Sequence, residues 1–357
     1  MSGADPTAGA WAVVLAGGVG SRFWPLSTPT RPKQLLPLVD GEPLLANTLA
    51  RLAPLVPAAR TLVLTNASLV APIRALAPEL PAENVIAEPA PAGTAAALAW
   101  AARTVARRGG DDAVMLCVHA DWAIGDPDGF RAALRDAARA AAAHRSLVTV
   151  GIVPTRDDPG FGYIQPDAEI EPGVHRVARF VEKPTRERAA RMRAEGYLWN
   201  SGIFVWRAGD FLEELDARCP EVAPALRAVS DAADDASAIG TFFADVTPVA
   251  VDVGVMERSP RVLVLPGDFG WDDVGTWGAL GRVRALDGAE NATSGAVHLL
   301  DAHRNVVHAD GNAVVLYGVD DLVVVVGRGL TLVTTVDRSS DLKTLLDSLP
   351  RELKPGG

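Results

Sequence analysis

The densest run of unusual residues is Leu15-Ala16-Gly17-Gly18-Val19-Gly20-Ser21-Arg22-Phe23-Trp24-Pro25-Leu26. Glycines there free backbone N–H groups to converge on an anion, and Arg22 adds a forked cationic donor that matches phosphate oxygens. The chemistry indicated is phosphate binding, with a ligand-free glycine turn as the alternative. Two familiar phosphate loops do not fit. The P-loop needs Gly-Lys-Ser/Thr after four spacer residues, and the dinucleotide fingerprint needs a third glycine where Phe23 stands. Both also launch a helix directly, whereas Pro25, Pro29, Pro32 and Pro37 keep the following segment extended or turning. Lys33, in Arg31-Pro32-Lys33-Gln34, is presented from that stiff segment as a point charge for a polyphosphate, a solvated surface lysine being the alternative.

Two carboxylates stand where strands are expected to end. Asp121 follows the apolar run Ala113 to Val118, and Asp273 lies in a turn after the run Arg261 to Leu265. Carboxylates so placed can hold a hard divalent cation, and Mg²⁺ takes only one or two of them, completing its octahedron with phosphates and water. Turn or capping roles are the alternative reading, and Asp272 competes with Asp273 for the same function. Glu182 and Lys183 read as neighbours on a strand ended by Pro184, so their side chains leave opposite faces unless a bulge or strand end re-aims one.

The elements that must position these groups follow a strand and helix alternation. Ala12 to Ala16, Thr61 to Leu64, Ala113 to Val118, Leu147 to Val153 and Arg261 to Leu265 are short apolar runs of buried-strand type. Between them, Thr94 to Arg108 and Gly129 to His144 have helical spacing. The pattern predicts an α/β fold with a mixed, mainly parallel sheet covered by helices on both faces, its ligand beyond the carboxyl ends of the strands. Near Asn291 the character changes. From Gly295 to Val336 short Val-rich strands alternate with turns, which predicts a small C-terminal β region over 291–357, readable as a short β-solenoid, and a terminal helix over Asp341 to Leu349.

Composition narrows the partners. With 357 residues, 48% hydrophobic and 22% charged, there is enough chain for a sizeable core. Lys plus Arg is 34 against 44 for Asp plus Glu, a net charge of −10 that repels nucleic acid. No apolar run reaches the roughly 20 residues of a membrane span, and the first ten residues lack a leader pattern. The expectation is a cytoplasmic protein with no membrane and no nucleic-acid partner. Cys117 and Cys219, with no metal-ligand spacing, read as small core residues.

The glycine run through Trp24-Pro25-Leu26-Ser27, followed by Pro32-Lys33-Gln34, resembles the signature of sugar-1-phosphate nucleotidylyltransferases, in the form used by the mannose-1-phosphate guanylyltransferase branch. Further matches follow in order: Glu88-Pro89, Phe180 to Pro184, Leu198 to Phe204, Val255-Met256-Glu257 and Gly270 to Trp277. The resemblance covers residues 13 to about 280. It implies a Rossmann-like, GT-A-like catalytic domain over 1–290. It also implies transfer of a guanylyl group from GTP to mannose 1-phosphate, with Mg²⁺ on Asp121 and Asp273. Arg22, Lys33 and Lys183 would be catalytic. Leu15, Ala16, Gly17, Gly18, Gly20, Ser21, Glu88, Thr94 and Asp121 would bind the nucleotide. The sugar phosphate would meet Gly162, Glu182, Lys183, Asn200 and Asp252, with Trp199 and Trp271 as packing residues.

The chain departs from the family pattern at two places. Ala90 to Thr94 lacks an Arg and an Asn usual after Glu-Pro, and His119-Ala120-Asp121-Trp122 keeps the acid of Pro-Ala-Asp-His but replaces both ends. Three alternatives therefore accompany the main reading: the same chemistry with another sugar 1-phosphate or nucleotide, a sugar-nucleotide-binding regulatory subunit without catalysis, and a dehydrogenase, which Phe23 and Pro25 disfavour. No isomerase activity is expected, and the β region is expected to cap the core or mediate contact in a homodimer. Asn291-Ala292-Thr293 fits a glycosylation acceptor, read here as coincidence.

Overall fold

The run Trp11–Leu15 (β1) is buried at every position, as a strand covered on both faces must be. In a computed structural model, which describes residues 5–18, 20–229 and 235–354, it lies inside a nine-stranded sheet. The following strands are β2 (Thr61–Asn66), β3 (Val85–Glu88), β4 (Val114–His119), β5 (Ala123–Ile124), β6 (Leu147–Ile152), β7 (Tyr163–Glu171), β8 (Val174–Val181), β9 (Leu198–Arg207), β10 (Val262–Gly267) and β11 (Trp271–Asp272). Helices α1 (Leu44–Leu52), α2 (Val70–Leu76), α3 (Gly93–Gly109) and α4 (Pro127–His144) include the two expected from spacing.

The chain divides into two compact units. One comprises residues 1–17, 49–119 and 126–269; the other comprises 18–48, 120–125 and 270–357. The β region entered near Asn291 thus packs with the segment carrying Lys33 and with the turns carrying Asp121 and Asp273.

The first unit holds the large sheet, ordered β3-β2-β1-β4-β9-β6-β10-β8-β7. Pairs among β3, β2, β1 and β4 are parallel, as is β6 with β10, while β7, β8 and β9 join antiparallel. Strand order reverses at β1, which has β2 on one side and β4 on the other, the arrangement that places ligands beyond the carboxyl ends of such strands. The core under α3 is built from alanines, with Ala95, Ala96, Ala99, Ala101 and Ala102 fully buried, so the helix approaches the sheet closely. Trp100 stacks on Phe242 at 5.6 Å, and Cys117 and Cys219 are buried in the same core.

The second unit contains the two-stranded β5–β11 pair and the β region. There, β12 (Ala292–Ser294), β13 (Val297–Leu300), β14 (Val306–Ala309), β15 (Val314–Tyr317) and β16 (Leu322–Gly327) form two parallel stacks, β12-β14-β16 and β13-β15, as in a short solenoid. The last strand, β17 (Leu330–Thr335), turns back antiparallel on β16, and a terminal helix, Leu342–Ser348, follows. A buried asparagine ladder sets the coil spacing. Asn305 Nδ2 donates to Asn291 Oδ1 (3.0 Å), and Asn305 Oδ1 accepts from the Leu322 amide (2.9 Å). Asn291 is only 1% exposed, which explains why the Asn-Ala-Thr sequence is structural.

Arg284 ties this region together. Its guanidinium is buried and donates to the carbonyls of Leu38 (2.7 Å) and Val307 (3.2 Å), with His308 Nδ1 at 2.9 Å. Burial pulls Arg284 down to about 10, and burial beside that cation pulls His308 down to about 4. Replacing Arg284 with Met leaves two buried carbonyls without this donor, and a loss of about 2–4 kcal/mol in urea unfolding is expected. An unfolding midpoint equal to that of the parent would contradict this role.

Candidate active site

In the second unit, short-range geometry gathers the expected cations and carboxylates. Gly20 has φ +61°, and a Cβ there would lie 2.4 Å from Lys33 Cβ, so the loop passes Lys33 only as glycine. The Gly18 carbonyl accepts from Gln34 Nε2 (2.9 Å), which fixes the two segments to each other. Ser21–Phe23 forms a tight 3-10 turn that presents Arg22 as an exposed side chain. Val19 and the side chain of Ser21 lie outside the described residues.

Lys33 is buried at 6% exposure, so it is no ordinary surface lysine. Its Nζ donates to Asp121 Oδ2 (3.0 Å) and to the Asp273 carbonyl (2.5 Å), and stands 5.9 Å from the Phe23 ring centroid. Strands β5 and β11 bring the two aspartates together. Ala123 pairs with Asp272 and Ile124 with Trp271, so Asp121 and Asp273 sit at the same end of a two-rung ladder, and Trp122 packs on Trp271 at 5.9 Å.

Hydrogen bonding distinguishes Asp272 from Asp273. Asp272 is buried and accepts from Arg282 Nε (2.8 Å) and Nη2 (3.1 Å) and from the Val274 amide (2.9 Å), which makes it the anchor of the turn. Val274 is held at φ +47°, an uncommon conformation for a β-branched residue and one that costs on the order of 1–2 kcal/mol. The turn thus stores strain next to Asp273. A Cβ on Gly275 would meet Asp273 Oδ2 at 2.6 Å and Arg22 Nη1 at 3.6 Å, which places that carboxylate and the guanidinium around one glycine.

The Asp121 carboxylate and the Asp273 backbone carbonyl already hold one cation, the Lys33 ammonium. Among the described residues no group of three or more His, Cys, Asp or Glu side chains is arranged for a metal ion. Two hard carboxylates fit Mg²⁺-type coordination, which draws its remaining ligands from phosphate and water.

In the first unit, β1 delivers Leu15 and Ala16 to the start of the loop. The Ala16 amide donates to the Leu64 carbonyl (2.8 Å), and its carbonyl accepts from Thr65 Oγ1 (3.0 Å). Next to it, a Cβ on Gly17 would touch Glu88 Oε1 at 3.5 Å. Thr94, expected at the nucleotide, uses its hydroxyl oxygen to accept from the Val251 amide (2.9 Å), so it braces α3 against that segment.

Burial pushes the Glu88 carboxyl up to about 7. A folded value above the ordinary one means that the stabilising effect of the proton is complete below about pH 4.5 and is lost as pH rises through 7. Glu88→Gln, neutral throughout, is therefore expected to exceed the parent in stability at pH 8 by about 1–3 kcal/mol, a gap that shrinks as pH falls towards 5. Urea unfolding at both pH values checks this; a pH-independent difference would refute it.

A second cluster of the first unit gathers the predicted sugar residues. Strand β8 ends at Val181, so Glu182 and Lys183 lie beyond the strand rather than on it, and Lys183 adopts φ +41°. That correction brings the two side chains together instead of onto opposite faces, with Lys183 Nζ 2.9 Å from Glu182 Oε1. A Cβ on Gly162 would lie 2.7 Å from Glu182 Oε2 and 3.4 Å from Asn200 Cβ, so glycine leaves the space between them open.

Asn200 is aimed by a bulge in β9. The pairing with β6 shifts at Val150/Gly151, and Ser201 Oγ donates to the Val150 carbonyl (2.5 Å). The Asn200 amide then donates to Asp252 Oδ1 (2.6 Å) and accepts from the Gly202 amide (3.3 Å), which fixes its orientation. Asp252 opens a π-helical turn, Asp252–Met256. Trp199 is buried against Phe161 at 4.9 Å, and Trp271 is buried as well, both as packing residues.

Two contributors escaped assignment in the sequence. Gln34 pins Gly18, and Glu257 joins the acids near Asn200; partial burial, Asp252 and Glu182 together raise its carboxyl above the ordinary range. Both lie inside quoted motifs, Pro32-Lys33-Gln34 and Val255-Met256-Glu257, and position within those motifs was the available signal.

Comparison with known proteins accords with this geometry. The nucleotidyl transferase family matches residues 11–289. A mannose-1-phosphate guanylyltransferase of Escherichia coli is 38% identical over 348 residues, covering 94% of this chain and 73% of the relative. The alginate biosynthesis protein AlgA of Pseudomonas aeruginosa is 35% identical over 345 residues, covering 94% and 71%. Among solved structures, one described as a mannose-1-phosphate geranyltransferase from Thermus thermophilus superposes with a TM-score of 0.88 at 35% identity, over 95% of this chain and 98% of the other. The family acts on nucleoside triphosphates and sugar 1-phosphates, generally with a divalent metal ion. The order of matched segments, the fold and these likenesses agree: the chain belongs to the nucleotidyl transferase family, alongside the mannose-1-phosphate guanylyltransferases.

Proposed function

We propose that this protein transfers a guanylyl group from GTP to mannose 1-phosphate, forming GDP-mannose and pyrophosphate. A phosphate oxygen of mannose 1-phosphate bonds to the α-phosphorus of GTP, and the bond from that phosphorus to the bridging oxygen of pyrophosphate breaks. The attacking monoester is anionic near neutral pH and needs no protein nucleophile. What the reaction needs is screening and alignment of two mutually repelling anions.

The observation that carries this reading is the convergence of Lys33 and Arg22 on the Asp121 and Asp273 turns. Arg22, Lys33 and the amides of the glycine loop receive the charge of the departing pyrophosphate. Asp121 and Asp273 would hold Mg²⁺, which when bound neutralises phosphate charge. Lys183 holds the attacking phosphate, while Glu182 and the oriented Asn200 amide read hexose hydroxyls, with Asp252 keeping that amide in place. GTP and mannose 1-phosphate are chosen over other pairs on the strength of relatives such as the guanylyltransferase of Escherichia coli.

The experiment is pyrophosphate release with Mg²⁺ across a panel of four nucleoside triphosphates and several sugar 1-phosphates. Release confined to GTP with mannose 1-phosphate is expected. Preference for another pair would replace the assigned substrates, and tight binding without release would favour the regulatory alternative.

A further inference from the structure

Lys33 stands where a cation bound to the Asp121 carboxylate would stand. Its ammonium is 3.0 Å from Asp121 Oδ2 and bonded to the Asp273 backbone carbonyl, and the start of its side chain is packed against Gly20. A dication placed on the same carboxylate oxygen would lie close to that ammonium, and in a partly buried site such like charges repel strongly. Both cannot hold Asp121 in this geometry.

We infer that Lys33 is a built-in counter-ion that occupies the carboxylate face needed by the divalent cation, and releases Asp121 only when nucleotide phosphates accept its ammonium. This rests on the nucleotidyl-transfer reading. The protein alone then takes up divalent cation weakly, and nucleotide strengthens that uptake by moving Lys33 as well as by adding oxygen ligands. By linkage, cation and nucleotide promote each other's binding. The ammonium also keeps the Asp121 and Asp273 turns together while no substrate is present, so the site is preformed.

The test uses Mn²⁺ as the probe, with free Mn²⁺ followed by electron paramagnetic resonance on the full chain without nucleotide. Lys33→Met keeps the length and removes the charge; Lys33→Gln is a second neutral variant, and circular dichroism with thermal melting reports folding of both. Each folded variant is expected to bind Mn²⁺ about tenfold or more tightly than the parent, the scale of removing one close like charge. Adding Asp273→Asn to Lys33→Met is expected to abolish the gain. Equal or weaker Mn²⁺ binding by the folded neutral variants overturns the inference, as does a gain that survives loss of Asp273. Failure of the transfer reading is seen separately, as absence of pyrophosphate release by the parent protein across the substrate panel.

Discussion

Lys33→Ala lowers the rate of pyrophosphate release by about 100-fold or more at saturating substrates, the scale set by losing one preorganised charge stabiliser. The side chain is buried, bonded to Asp121 and to the Asp273 carbonyl, and beside the Phe23 ring, so its charge acts at low dielectric. Tighter uptake of divalent cation by a neutral variant does not restore turnover, because the cation carried by residue 33 is then missing from the phosphates. Arg22→Ala belongs to the same class, since its guanidinium faces Asp273 across Gly275. Retention of near-parental rates by either variant would remove that residue from the mechanism.

Asp273→Asn is expected to reduce turnover by about 100- to 1,000-fold while the chain stays folded, because one carboxylate of the cation site is lost. The substitution is clean for a structural reason. Lys33 bonds the backbone carbonyl of residue 273, which the variant keeps, and the turn is anchored by Asp272 through Arg282 and the Val274 amide. Asp272→Asn, by contrast, weakens that anchor and is expected to lower the melting temperature. If the Asp273 variant kept the parental dependence on Mg²⁺ concentration, the carboxylate would not be a ligand.

The framework was legible where one element carries its own pattern. Apolar runs marked β1, β2, β4, β6 and β10, and alanine-rich helical spacing marked α3 and α4. Strands β7 and β8 were harder, being partly exposed and edged with charge. The strand and helix alternation said nothing of how residues 18–48, 120–125 and 270–357 pack as one unit, because that depends on contacts between distant segments, such as Lys33 with Asp273, 240 residues apart.

At the site, motif chemistry named the groups but could not arrange them. Strands β5 and β11 are two residues each, too short to show periodicity, yet their pairing is what aligns Asp121 with Asp273. The choice between Asp272 and Asp273 needed Arg282, ten residues away. The pairing of Lys183 with Glu182 required a positive φ at Lys183, where strand geometry predicts divergence. Trp122, next to Asp121, packs edge-on against Trp271 of the facing strand, a contact that residue spacing does not show.

In the proposed mechanism the sugar phosphate attacks the α-phosphorus directly, with the protein supplying charge and alignment and no covalent intermediate. Stereochemistry at phosphorus tests this most directly. With the Sp isomer of GTPαS and mannose 1-phosphate, ³¹P NMR of the sugar-nucleotide product is predicted to show inverted configuration at the α-phosphorus, as a single in-line displacement requires. Retained configuration would mean two displacements through a protein-bound nucleotide and would contradict the mechanism.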